Sequence, residues 1–141
     1  MKMDLNQALE WAKEKSHGVL ITIRKDGRAQ SSDISFTLKE GKFCISATAS
    51  RAKTKNLIRD SRAVLHITSP DTWSYISFDG IVEVTAPAQE PNDDVNQELT
   101  DIYRRVLGQE HPDWDEFQQA MIEDQRLVLR FVPLHAVGMV N

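Results

Sequence analysis

Short apolar runs, rich in β-branched and aromatic residues and separated by polar turns, fill most of the chain. Such runs predict strands, and regular alternation of apolar and polar residues predicts strands with one buried face. The Asp26-Gly27 pair is a hairpin turn signal, and residues 39–42 form a second predicted turn. The predicted strands cover residues 19–23, 29–38, 43–47, 63–67, 72–84, 126–132 and 135–140. The first three are joined by turns too short for a parallel crossover, so we expect an antiparallel sheet.

Glycine interrupts the apolar face of the longest predicted strand, residues 72–84. Ile76, Phe78 and Val82 share that face, and Gly80 falls between them. A glycine inside a strand predicts a β-bulge or a close approach of another backbone.

Four segments instead have apolar residues at helical spacing. Asp4 with Gln7, and Asp113 with Glu116, stand at capping-box spacing at the start of two of them. The predicted helices lie within residues 3–18, 50–60, 95–108 and 111–124. Six or seven antiparallel strands with inserted helices are typical of an α+β, mainly β, fold with a closed or nearly closed barrel.

Composition narrows the classes of function. We expect the 141 residues to form a single domain, 1–141. A net charge of −4 argues against nucleic acid as a partner. No apolar run approaches the roughly 20 residues of a membrane-spanning helix, and the first residues lack a signal-peptide core, so we expect a cytoplasmic protein without a membrane partner. The single Cys44 excludes an internal disulfide and zinc sites built on cysteine pairs.

Residues 50–60 place cations where a helix is least suited to them. Ser50 is the expected N-cap. Arg51 and Lys53 then fall in the first turn, where the helix dipole disfavours each cation by about 0.3–1 kcal/mol. A bound phosphate would reverse that sign, using free amide groups and the Ser50 and Thr54 hydroxyls. The sequence therefore predicts a site for a small phosphorylated ligand, with a merely solvated charged face as the alternative.

Four segments, taken in order, carry a resemblance to known sequences. They are residues 18–36, 50–60, 71–84 and 102–131, and their specific motifs are an Arg-Ala-Lys-Thr run and a Trp-Ser-Tyr strand start. On these motifs the chain resembles the split-barrel superfamily of pyridoxamine 5′-phosphate oxidase-like flavoproteins. Within it, the chain is most similar to the actinobacterial group that binds coenzyme F420, a deazaflavin.

The resemblance implies a six-stranded antiparallel split β-barrel with peripheral helices, in a homodimer with two cofactor sites at the subunit interface. The basic segment would hold the cofactor's phosphate, and residues of the second strand would lie near its ring system. Related sequences often carry Asn at the position of Asp33, where a carboxylate would repel an anionic reduced deazaflavin. The implied cofactor-binding residues are Ser32, Asp33, Ser50, Arg51, Ala52, Lys53, Thr54 and Asn56, with Trp73, Ser74 and Tyr75 from the other subunit.

The resemblance also implies the chemistry. A reduced deazaflavin delivers a hydride from its ring carbon to an activated double bond of a small conjugated substrate, so the protein needs no nucleophile or triad. Cys44 lies among apolar residues and is expected to be core, and His66 is expected to be a strand residue rather than a base. The four histidines form no helical i,i+4 pair, so no metal site is predicted. Tyr75 or a water molecule is the candidate proton donor.

Two alternatives stay open. The first is an FMN-binding member of the same superfamily. Residues 135–141 lack the arginine-rich substrate motif expected of the oxidase of pyridoxamine phosphate, which does not count against FMN itself. The second is a carrier that binds F420 or flavin without turnover, or a haem-binding relative. Arg24, Lys25 and Arg28 could contact the oligoglutamate tail of F420 or simply form a solvated turn.

Overall fold

The structure is a computed structural model that describes residues 2–141. Antiparallel strands form most of it, and four helices lie at the periphery. The strands are β1 (Lys2–Met3), β2 (His17–Ile23), β3 (Ala29–Ser35), β4 (Thr37–Lys39), β5 (Lys42–Thr48), β6 (Arg62–Ser69), β7 (Ser74–Val84) and β8 (Arg126–Met139). The helices are α1 (Leu5–Ala12), α2 (Ala52–Arg59), α3 (Asp94–Leu107) and α4 (Trp114–Glu123), with a 3-10 turn at Pro70–Thr72.

The described strands form one antiparallel sheet in the order β3-β2-β6-β7-β8-β5-β4, and β1 pairs with β8. Strand β8 organises this sheet. One of its edges pairs with β7 from Tyr75 to Val84, and its other edge pairs first with β5 and then with β1. The sheet curls around its core as a split barrel, which confirms the α+β, mainly β, class and the barrel architecture.

The number of strands differs from the expected six. The segment predicted as one strand over 29–38 divides into β3 and β4 at Phe36, because β3 pairs with β2 whereas β4 pairs with β5. The two closing strands predicted over 126–132 and 135–140 are one continuous strand of 14 residues. With the short β1, eight strands lie within residues 2–141.

The irregularity predicted at Gly80 is confirmed. Asp79 pairs with His135 but Gly80 pairs with Pro133, so Leu134 is an extra residue in β8 and forms a bulge. A Cβ atom on Gly80 would lie 2.1 Å from the Val132 carbonyl oxygen, which only glycine avoids. The bulge also explains why a proline is tolerated inside a central strand.

Two cores lie on opposite faces of β5 and β8. Inside the barrel, Phe43 packs against Phe36, Phe78 and Phe131 with ring centroids 5.0–6.0 Å apart. On the outer face, a second cluster joins the two strands to the helices; its buried residues are Cys44, Ala88, Leu99, Ile102, Phe117 and Val128. Helices α3 and α4 therefore cover the outside of the barrel wall, and the edge of this contact leaves room for a site.

The helix caps largely follow the sequence. The Asp4 carboxylate accepts a hydrogen bond from the backbone N–H of Gln7 at 3.0 Å, and the Asp113 carboxylate accepts one from the backbone N–H of Glu116 at 3.1 Å, as predicted. Asp93 caps α3 in the same way, and Gly108 ends that helix in the left-handed conformation. Within residues 2–141, none of the helices has the length and apolar character required to cross a membrane.

Candidate functional site

Three adjoining hollows run from the α3–α4 pair to the exposed face of the sheet. The first, the α3–α4 cleft, has a volume of about 380 Å³, and its charged groups are Lys53, Arg126 and Asp33. The second, the β3 hollow, holds about 400 Å³, shares Asp33 with the cleft and adds His66. The third, the aromatic hollow, holds about 480 Å³, shares His66 with the second and ends at residues 73–75. The implied cofactor-binding residues fall in three stretches, 32–33, 50–56 and 73–75. Residues from each stretch therefore lie along one path on a single chain.

Helix α2 begins after the position that the sequence predicts. Its N-cap is Arg51, which makes no side-chain capping bond. The Arg51 amide donates to the Thr48 carbonyl at 3.3 Å, and this turn leaves Ser50 exposed and outside the helix. The expectation that Ser50 caps the helix is therefore wrong. Ala52, the first helical residue, is exposed and offers an anion only its backbone amide.

Lys53 is half-buried in the wall of the α3–α4 cleft. Burial lowers the pKa of its ammonium group, and the neighbouring charges of Arg51 and Arg126 lower that pKa further. Among the described residues, none of these three cations has a carboxylate within ion-pair distance. Neighbouring cations without counter-charges repel one another, so this cluster is suited to an anion supplied from outside.

Thr54 and Asn56 lie inside the protein rather than at the cleft surface. Thr54 has no exposed surface, and its hydroxyl donates to the Thr48 carbonyl at 2.8 Å. Asn56 is 6% exposed, and its amide donates to Thr22 and Gln30 on the neighbouring strands. Both side chains fix α2 to the barrel, so the expected contact of the Thr54 hydroxyl with a phosphate is not what the structure provides.

Arg126 is a site residue that the sequence reasoning missed. It opens β8 on the outer face, and its Nη1 lies 3.5 Å from the Ser46 hydroxyl. Its Nε is buried without a hydrogen-bond partner among the described residues. A signal was present, because Arg126 and Arg130 alternate with the apolar Leu127 and Leu129, which predicts that both arginines leave the barrel interior on the same side.

Ser32 and Asp33 are neighbours on β3 and point to opposite faces of the sheet. Ser32 pairs with the buried Leu20 and therefore shares its core-facing side. Asp33 is exposed and lies on the rim between the α3–α4 cleft and the β3 hollow. Of the two, only Asp33 faces the path described above.

The predicted strand over 72–84 begins later in the structure, since Trp73 lies outside β7 and only Ser74 and Tyr75 belong to that strand. Trp73 follows the 3-10 turn in the left-handed conformation, precedes β7 and is 83% exposed. Ser74 is buried, and its hydroxyl accepts hydrogen bonds from the backbone N–H of Asn141 and from the Thr72 hydroxyl. Tyr75 lies 5.6 Å from the ring of His66. Trp73 and Tyr75 therefore supply the aromatic surface of the third hollow, and Ser74 supports it from beneath.

His66 on β6 is partly buried, whereas Cys44 on β5 is buried in the core. His66 Nδ1 lies 2.5 Å from the Ser77 hydroxyl, so His66 is a hydrogen-bonded strand residue, as predicted. Its ring also borders the β3 hollow and the aromatic hollow. Cys44 is 4% exposed, which confirms its place in the core, and burial raises the pKa of its thiol. Among residues 2–141, no group of three or more histidine, cysteine or acidic side chains could hold a metal ion.

The curled antiparallel sheet and the covered outer wall of β5 and β8 define a split-barrel protein, with an anion-suited cleft at the edge of that wall. The chain belongs to the pyridoxamine 5′-phosphate oxidase family, whose sequence profile matches residues 5–136. This match confirms the superfamily that the sequence motifs indicate.

Solved structures with the same fold differ in what their names say they do. A conserved hypothetical protein from Mycobacterium tuberculosis aligns with a TM-score of 0.74 at 21% identity, covering 98% of this chain and 85% of that one. A protein named F420 reductase aligns at 0.69 and 20% identity, covering 91% and 94%. A haem storage protein from Vibrio cholerae aligns at 0.62 and 14% identity, covering 98% and 95%. At sequence identities of 14–21%, these alignments are evidence for a shared fold and not for a shared function.

Proposed function

We propose that the protein binds coenzyme F420 and transfers a hydride between it and a small conjugated substrate. The observation that carries the proposal is the unpaired cation cluster of Arg51, Lys53 and Arg126 at one end of a path that leads past Asp33. A cofactor with a phosphate and a planar ring needs both a cationic end and an open, partly aromatic path. The similarity to a protein named F420 reductase agrees with this choice.

In this proposal, each residue acts by binding and orienting. Arg51 and Lys53, with the free amides at the start of α2, hold the phosphate. The ring system lies at the rim formed by Asp33, and the aromatic hollow of Trp73 and Tyr75 provides a stacking surface. The deazaflavin supplies the hydride chemistry when bound, and the chain's own contribution is to position it and to exclude water.

FMN is the alternative cofactor, because the same cation cluster would accept its phosphate and the family includes flavoproteins. A carrier without turnover is the third possibility, and neighbours named as haem storage or haem-binding proteins make it a real competitor. A carrier would bind its cofactor tightly and reduce no acceptor.

A fluorescence titration with F420, run beside one with FMN at low and moderate salt, tests the proposal. We expect selective F420 binding that weakens as salt screens the cation cluster. Selective FMN binding would move the function to flavin chemistry, and no binding of either would overturn the cofactor site. A screen of conjugated acceptors with the loaded protein then separates an enzyme from a carrier.

We also propose a homodimer built on the outer face of β7 and β8. Tyr75 pairs with Met139 and Ser77 with Val137, so their side chains form one exposed surface beside Trp73. Tyr75, Val137 and Met139 are 38%, 43% and 50% exposed. Contiguous apolar surface of this kind favours burial against a partner, and the resemblance implies that the partner is a second copy.

Sedimentation equilibrium tests the dimer. We expect the wild-type protein to have twice the mass of one chain and V137D to be monomeric. I58D is the control, because Ile58 is equally apolar and 67% exposed but lies on α2, away from this face. A monomeric wild type, or a V137D variant that stays dimeric, would contradict the proposed interface.

A further inference from the structure

The α3–α4 cleft has two chemically different walls. Lys53 and Arg126 form a cationic wall on the barrel side. The opposite wall belongs to the helices and is apolar; its residues include Ile102, Val106, Leu107, Phe117 and Met121. Holding a phosphate requires only the cationic wall, so the apolar wall needs a separate explanation.

The apolar wall is open to water at one end. Leu107 is 51% exposed at the last turn of α3, although the rest of that helix face is packed against α4 and the barrel. Exposed apolar surface in a cleft gains free energy when an apolar group covers it. The polar oligoglutamate tail of F420 would leave this surface without a suitable partner.

Arg126 provides the other half of the recognition. Its guanidinium gives one long hydrogen bond to Ser46, and its buried Nε has no partner among the described residues. A guanidinium offers a planar pair of donors that matches a carboxylate better than it matches a single polar atom. Asp33 also lines the cleft and would repel the same carboxylate, which favours placement of that carboxylate on Arg126.

We propose that the cleft binds an amphipathic organic acid, with its carboxylate on Arg126 and its apolar body against α3 and α4. We assign this ligand as the acceptor substrate, and that assignment rests on the proposed F420-dependent function. The binding itself depends only on the two walls of the cleft.

Isothermal titration calorimetry with 4-phenylbutyrate tests the binding. The comparison ligands are 4-phenylbutanol, which lacks the charge, and butyrate, which lacks most of the apolar body. We expect 4-phenylbutyrate to bind at least about tenfold more tightly than either, because one charge-assisted hydrogen bond or a few buried methylene groups each contribute that much.

Matched variants locate the ligand. R126Q should weaken 4-phenylbutyrate binding about tenfold, and R126K should recover part of that loss through its charge. L107S should weaken binding of the acid without changing the fold, since Leu107 is half exposed. The controls are K55Q for the cation and I58S for the apolar residue, because both side chains are exposed on α2 and neither lines the cleft.

Titrations repeated with F420 present separate this inference from the proposed function. Binding of both ligands together supports the acceptor assignment. If the acid binds and F420 does not, the cleft stands and the proposed function fails. If F420 binds and the acid does not, or binds equally well to R126Q, the inference is overturned and the proposed function stands. Competition between the two would also overturn it, because the anion would then occupy the place of the cofactor's phosphate.

Discussion

Two charged cavities flank helix α3 on the outer face of β5 and β8, and they differ in whether their cations form ion pairs with carboxylates. The first, the ion-paired cavity, holds about 530 Å³ beside the start of α3. Each of its cations has a carboxylate partner: Lys39 with Asp101, Lys42 with Glu83 and Arg130 with Glu98, at 2.7–2.9 Å. In the α3–α4 cleft, at the other end of the helix, Lys53 and Arg126 have none among the described residues.

The contrast is sharpest along β8, where Arg126 and Arg130 stand four residues apart on the same face. Arg130 makes a bidentate pair with Glu98 through Nε and Nη2. Arg126 has the same side chain, strand and face, but no acid on α3 reaches it. Charged groups that serve only the fold are normally paired. An unpaired, partly buried arginine is therefore the better guide to a ligand site than the larger, fully paired cavity.

The largest expected effect comes from placing a carboxylate of the protein itself next to Arg126 in the α3–α4 cleft. S46D places a carboxylate beside Arg126, whose Nη1 already lies 3.5 Å from the Ser46 hydroxyl. The new pair would neutralise Arg126 and repel an incoming carboxylate, so we expect 4-phenylbutyrate binding to weaken by roughly a hundredfold or more. Isothermal titration calorimetry measures it, with S46N as the uncharged control of similar size. Equal affinity of S46D and wild type would show that the cleft is not the anion site.

Removing one unpaired cation should have the next largest effect. K53A is expected to weaken F420 binding roughly tenfold, the loss of about one charge-assisted hydrogen bond. Its thermal stability should be unchanged or slightly higher, because the lowered pKa of Lys53 means that the folded protein disfavours this charge. K55A is the matched control on the exposed side of α2. A folded K53A variant with wild-type affinity would contradict the phosphate site.

The sequence predicted the barrel better than it predicted the site, for a physical reason. Strand faces and caps depend on local patterns, so Asp4, Gly80 and Asp113 were identified correctly. Thr54 and Asn56 share a motif with Lys53, but which side of α2 is buried depends on the strands that it packs against. Arg126 is distant in sequence from the basic segment, and only the register of β5 on β8 brings it beside Ser46.

Breaking a pair in the ion-paired cavity should affect stability and leave binding intact. E98Q removes the partner of Arg130, and their side chains are 19% and 35% exposed. This partial exposure limits the expected loss to about 1 kcal/mol, well below that for a fully buried pair. Urea denaturation measures it, and E110Q, in the exposed pair with Arg104, is the control expected to change little. Weaker F420 binding by E98Q would remove the distinction between the two cavities.

The smallest expected effect is a dependence of affinity on pH that Lys53 alone creates. Burial, Arg51 and Arg126 lower its pKa from the ordinary 10.5, so Lys53 loses its proton at a pH where other lysines keep theirs. Affinity for F420 should therefore fall a few-fold as the pH rises through that lowered value. The unfolded chain binds more protons than the folded one between the two pKa values, so stability should rise over the same range while affinity falls.

Titrations and urea denaturation of wild type and K53A at a series of alkaline pH values measure both trends. Any change that K53A shares with wild type belongs to the ligand or to other groups; only the difference between the two proteins reports on Lys53. If that difference is zero, Lys53 carries its charge in the free cleft as an ordinary exposed lysine does, and the contrast with the ion-paired cavity then rests on Arg126 alone.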